Sequence, residues 1–288
     1  MARVTSGWGS GLIGVAIFAG SLPATRVAVA DFDPVFLTGA RAVIAAACGL
    51  ALLWLLRQPR PEYRDFPALA LTAAGVVLGF PLLTALALRH ITSAHSIVFL
   101  AVLPLCTAIF AVLRAGERPR PIFWLFSVLG SALVGGYAAM AGTGSSLQGD
   151  LLMMAAVIVC GLGYAEGARL SRRLGGWQVI SWALVVSLPL MLPIALLTSP
   201  ESFAHIGGPA RFGLAYVALF SMLIGFVFWY RGLALGGIAA VGQLQLLQPF
   251  MGLGLAALFL HERVSWSMLG VSLAAVFCVA GAKRSARP

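Results

Sequence analysis

Apolar residues run along this chain in ten stretches, separated by short polar connections. They fall near residues 8–28, 36–56, 67–88, 94–113, 120–141, 149–169, 177–198, 211–231, 238–259 and 265–283. A run of about 20 apolar residues is long enough to cross the hydrocarbon core as a helix. The pattern predicts an all-α polytopic membrane protein with ten transmembrane helices and no room between them for a soluble domain. The first stretch also carries Ala28-Val29-Ala30 before Asp31, the shape of a signal-peptide cleavage site. Its apolar run exceeds the roughly 7–15 residues of such a segment, and Pro23 and Arg26 interrupt its end, so it reads as a retained span.

The polar connections orient the chain. With the N-terminus inside, the cytoplasmic loops and ends hold Arg3; Arg57, Arg60 and Arg64; Arg114, Arg118 and Arg120; Arg169, Arg172 and Arg173; Arg231; Lys283, Arg284 and Arg287. The other side holds Arg26, Arg89, Arg211 and Arg263, and Arg41 lies within the second stretch. Cytoplasmic loops attract Lys and Arg, so both termini are expected in the cytoplasm.

The pattern also repeats. Pro104 falls mid-stretch with Glu117-Arg118 thirteen residues later, and Pro249 falls mid-stretch with Glu262-Arg263 thirteen residues later. Both pairs are offset by 145 (249 − 104 and 262 − 117), and Gly136 and Gly281 keep the same offset. A repeat of five spans is odd-numbered, so its second copy must be inverted in the membrane. The chain therefore divides into residues 1–143 and 144–288, two inverted five-helix repeats. Such repeats are a common plan of secondary transporters, with the substrate near the midplane where the halves meet.

Composition then excludes other classes. The chain is 60% hydrophobic and 10% charged, whereas a soluble domain carries about 25% charged residues. The net charge of +10 sits in the short loops, which accounts for it without nucleic acid. Cys48, Cys106, Cys160 and Cys278 all lie inside apolar runs with no CxxC spacing, the pattern of packing residues rather than a disulfide or metal site. No HExxH, GxSxG or nucleotide-binding loop is present, so no enzyme, metal or cofactor is expected.

Polar groups inside the bilayer are costly unless they meet a partner or a water-filled cavity. Gln243, Gln245 and Gln248 precede Pro249, and Gln245 and Gln248 share a helix face. Their amides suit a zwitterion's carboxylate and ammonium, or they simply bond neighbouring helices. At the repeat offset they correspond to Val98, Leu100 and Leu103, which predicts one polar and one apolar wall. His95, Ser96 and Phe99 lie near the external end of the fourth stretch, with His95 and Phe99 on one face, and Tyr164 lies among glycines in the sixth. These seven residues are the candidate substrate contacts. Trp229 and Tyr230 end the eighth stretch beside Arg231, where an interfacial aromatic belt would put them. Arg41 is expected to pair with Asp31 or Asp33 or to snorkel, and Glu166 to pair with Arg169 three residues on.

The 5+5 arrangement, Trp8-Gly9 opening the first span, Arg41 early in the second and the two Glu-Arg pairs resemble the EamA-type drug/metabolite transporter superfamily. Within it, Ser21-Leu22-Pro23-Ala24-Thr25-Arg26 and the length look most like the bacterial aromatic and neutral amino-acid exporters. The resemblance implies an inner-membrane exporter working by alternating access, with a cavity ringed by helices 1, 3, 4, 6, 8 and 9 and helices 5 and 10 peripheral. Efflux of amphipathic drugs or purine-like metabolites is the alternative. The expected partners are a small-molecule substrate and the lipid bilayer, and a monomer is compatible with the sequence.

Overall fold

The computed structural model describes residues 2–87, 89–91, 93–141, 146–260 and 266–286. Among these, eight spans are helical, long and apolar enough to cross a membrane. They are span 1 (Ser6–Thr25), span 2 (Pro34–Leu55), span 3 (Tyr63–Ala87), span 4 (His95–Ala115), span 5 (Pro121–Met140), span 6 (Leu147–Leu174), span 7 (Gly176–Leu197) and span 8 (Gly208–Gly236). Two helical segments follow, segment 9 over 238–260 and segment 10 at Trp266–Ser285. The second Glu-Arg pair, Glu262-Arg263, lies outside the described residues.

Local chemistry sets the ends of these helices. Asp33 caps span 2, accepting from Val35 N–H at 2.8 Å and Phe36 N–H at 3.2 Å, while Pro34 has no N–H to satisfy. Gly116 ends span 4 at φ +66°, and Gly237 turns the chain into segment 9 at φ +95°. Both values lie in the left-handed region that glycine enters without steric penalty.

Two irregularities recur at the 145-residue offset. Span 3 widens into a π-helix over Ala73–Gly79, and span 8 does so over Tyr216–Ile224. Span 4 breaks at Ala101-Val102, just before Pro104, and segment 9 tightens to a 3-10 turn at Gln243–Leu247, just before Pro249. Proline cannot donate to the preceding turn, so each helix relaxes immediately upstream of it.

Packing joins the first half of the chain to the second. Span 1 lies along the later part of span 8, span 6 along span 3, span 2 on span 7, and span 5 on segment 10. Glycines allow the first two contacts. A Cβ on Gly232 would stand 2.6 Å from the backbone N of Gly11, and one on Gly75 would stand 2.5 Å from the carbonyl of Val159. Without a hydrophobic drive between helices in lipid, such close backbone packing supplies the attraction. The outer faces carry exposed apolar side chains such as Trp54, Leu125, Leu196, Leu273 and Phe277.

Ion pairs collect at the two ends of the bundle. At one end Glu166, fully buried, is held by Arg114 and Arg169, Glu117 by Arg172, and Asp65 by Arg173. At the other, Arg89 meets Asp33 at 3.2 Å, and Asp31 accepts from Gly207 N–H at 2.7 Å. The expected Glu166–Arg169 pair is present, and Arg114 adds a partner from span 4.

Candidate functional site

The centre of the bundle is aromatic. Tyr164 of span 6 lies 5.4 Å from Trp229 and 6.0 Å from Phe226, both of span 8. Phe18 of span 1 closes the group, 5.1 Å from Phe226 and 6.2 Å from Trp229. Gly14 makes room for it, since a Cβ there would stand 3.0 Å from the backbone N of Trp229. The expectation that Trp229 and Tyr230 form an interfacial belt is therefore wrong: both are fully buried. Span 8 continues past Arg231 to Gly236, which carries these rings one to two turns inward. Tyr230 donates its hydroxyl to the carbonyl of Gly163 at 3.2 Å.

The three glutamines separate in role. Gln243 is completely buried, and its amide donates to the carbonyl of Pro104 at 3.5 Å, tying segment 9 to span 4 beside the matching proline. Gln248 donates to the carbonyl of Phe18 at 3.4 Å, tying segment 9 to span 1. These are bonds between neighbouring helices. Gln245 differs. It is 6% exposed, and its Nε2 has no partner among the described residues. The indole Nε1 of Trp229 is likewise buried without a partner. The buried centre therefore holds two orphan N–H donors. A buried donor left unbonded costs about 1–3 kcal/mol, so an acceptor brought there is favoured.

His95, Ser96 and Phe99 form a second group. His95 Nε2 lies 2.9 Å from Asp150 Oδ1, joining span 4 to span 6, and its ring meets Phe99 edge-on at 5.7 Å. Ser96 is fully buried. The sequence had no means of pairing His95 with Asp150, which lies 55 residues away. Of the apolar counterparts at the repeat offset, Leu103 is buried and Leu100 half-buried.

Arg41 departs from its expected partners. Asp33 is committed to its helix cap and Arg89, and Asp31 to Gly207. Arg41 instead points across the bundle, its Nη2 3.3 Å from Ser221 Oγ of span 8, and its Nε is buried without a partner.

Tyr164, Trp229 and Gln245 are buried. A cavity of about 460 Å³ opens at the basic end among Arg64, Leu71, Arg114 and Arg169, and one of about 570 Å³ lies beside Tyr137 and Val271. Neither is lined by Gln245, Tyr164 or Trp229.

Known proteins share this pattern. The model of the EamA-like transporter family matches residues 5–135 and again 147–282. An uncharacterized transporter, YdeK, of Bacillus subtilis (strain 168) is 64% identical over 287 residues, covering 100% of both chains. A probable terminal-alkyne amino-acid exporter of Streptantibioticus cattleyicolor is 25% identical over 252 residues, covering 86% of this chain and 83% of its own. One solved crystal structure superposes with a TM-score of 0.78 at 20% identity, covering 96% of each chain, a likeness of fold.

Proposed function

The chain belongs to the EamA-like transporter family and is a multi-pass protein of a bacterial membrane, and from that premise we propose that it exports neutral or aromatic amino acids by alternating access. The observation that carries this reading is the buried aromatic centre of Phe18, Tyr164, Phe226 and Trp229, in which Gln245 and Trp229 hold two buried N–H donors without partners among the described residues. Rings of Phe18, Phe226 and Trp229 suit an apolar or aromatic side chain, and the orphan donors suit acceptor oxygens. The amino-acid exporter among the relatives points the same way.

In this reading the chain crosses the membrane ten times as two inverted repeats, 1–143 and 144–288, with both termini in the cytoplasm. The matched π-helices and matched breaks support the repeat. The Arg-rich end supports the orientation. Two halves related in this way exchange conformations, which opens the centre first to one side and then to the other.

Counterflow in proteoliposomes tests the function. Purified protein is loaded with each unlabelled neutral amino acid, and uptake of its radiolabelled form is followed. Purines and a cationic dye run alongside. Exchange of neutral amino acids is the expected result. Exchange of purines or dye alone makes the chain a different kind of efflux carrier.

A further inference from the structure

We propose that Arg41, together with Ser221, is the carboxylate subsite of the transport path. The inference rests on the carrier reading above and assigns the end of the substrate that Arg41 receives.

An arginine stays charged at any depth in the bilayer. A charge there is expensive, so it is ordinarily paired or directed at a pathway. Arg41 has no carboxylate partner among the described residues. Both nearby acidic residues of its own end, Asp31 and Asp33, are bonded elsewhere. Its one polar contact is the Ser221 hydroxyl, a long 3.3 Å bond, and a hydroxyl does not neutralise a guanidinium. The Nε is buried and unbonded. Nε and Nη2 together form one edge of the guanidinium fork, the edge that carboxylates engage with two parallel bonds. That edge is vacant at Nε and weakly held at Nη2.

The surroundings connect this edge to the aromatic centre. Ser221 also accepts from Ser21 Oγ at 2.8 Å, so spans 1, 2 and 8 converge on it. Ser21 lies three residues beyond Phe18 and Ser221 five residues before Phe226. At about 1.5 Å per helical residue, the arginine edge is roughly 5–8 Å along the axis from the ring cluster. An aromatic amino acid spans such a gap, with its carboxylate on Arg41 and its ring against Phe18, Phe226 and Trp229. Ser221 lies within the π-helical stretch Tyr216–Ile224, whose wider turns displace its hydroxyl relative to a regular helix.

Binding to the purified full chain tests this with matched probes: L-phenylalanine and L-leucine, their amides, and phenylacetate. Sodium chloride is titrated separately. The wild type is expected to bind the acids about tenfold to a hundredfold more tightly than the amides. Arg41→Gln is expected to bind acid and amide alike. Arg41→Lys keeps the charge but not the fork and retains part of the preference, which covers a failure of the glutamine variant to fold. Ser221→Ala, which removes the hydroxyl at the fork, is expected to weaken the preference by less than Arg41→Gln does. Equal binding of acid and amide by the wild type, or an acid preference that survives in both Arg41 variants, overturns the subsite. So does chloride that protects the wild type and is not displaced by phenylalanine, or failure of every carboxylate to bind. Phenylacetate binding that depends on Arg41, without binding of either amino acid, upholds the subsite and removes the amino-acid reading. Amino acids bound without preference over their amides do the reverse.

Discussion

Removing the Glu117 carboxylate loosens the joint between the two halves at the basic end. Its Oε1 accepts from the backbone N–H of Ile238 and its Oε2 from that of Ala239, each at 2.8 Å, and Arg172 pairs with the same group. The loop after span 4 thus caps the first turn of segment 9, which follows Gly237 and has no capping side chain of its own. A hydrogen bond to a charged acceptor contributes about 1.5–3 kcal/mol. The Glu117 side chain is 17% exposed, so the lower end of that range applies to each bond. Glu117→Ala is then expected to cost about 3 kcal/mol. Glu117→Gln keeps one acceptor oxygen and turns an NH2 toward a second donor, costing about half as much. Arg172→Gln removes an ion pair whose Arg side chain is 39% exposed, worth about 0–1 kcal/mol. Thermal unfolding of the three variants in one detergent, followed by tryptophan fluorescence, reads the order. Alanine lowers the midpoint most, then glutamine, then the arginine variant. If Arg172→Gln lowers it as much as Glu117→Ala, the ion pair holds the joint and the capping argument is refuted.

Further outcomes follow from the same contacts. In intact cells an impermeant maleimide should label Ala204→Cys and spare Arg60→Cys, and the reverse pattern would invert the proposed orientation. Gln243→Leu, which loses the bond to Pro104, should cost about 1 kcal/mol of stability, while Gln245→Leu should keep its melting temperature and lose about tenfold in substrate affinity; equal melting losses would make both simple helix ties. Glu166→Gln should destabilise by about 2–3 kcal/mol, more than Arg114→Gln or Arg169→Gln, because the carboxylate is fully buried while each arginine is nearly half exposed and can turn to water. Equal losses in all three melting curves would refute that asymmetry.

The spans were legible because bilayer thickness imposes a length that an apolar run displays directly. The paired prolines were legible as punctuation, and the helix breaks at Ala101-Val102 and Gln243–Leu247 lie where they fall. The site was legible only in part. Nothing in the spacing told Gln245 from Gln243, since the difference is the carbonyl of Pro104 on another helix. Trp229 was misread because its distance from Arg231 was taken as its distance from the membrane surface, and the helix runs five residues further. Arg41 was misread because Asp31 and Asp33 are near in sequence yet already bonded to Gly207, Arg89 and the start of their own helix. Long-range competition for partners leaves no trace in local pattern.

The interlocking of the halves has a consequence for biosynthesis. Span 1 finds its main partner in span 8, span 2 in span 7, span 3 in span 6 and span 5 in segment 10. A ribosome releases these partners in nearly the reverse order in which the first set waits for them. Each early helix can insert into lipid on its own, since its backbone bonds are internal, but it cannot dock until much of the chain has been made. Glycine faces such as those at Gly11 and Gly75 spend that interval against lipid. Assembly of the two halves is therefore late, beginning with span 6 on span 3 and running outward as spans 7, 8 and segment 10 emerge. A chain truncated after span 5 would be inserted yet lack the partners of spans 1, 2 and 3, and the missing half supplied as a separate polypeptide would find those helix faces unoccupied.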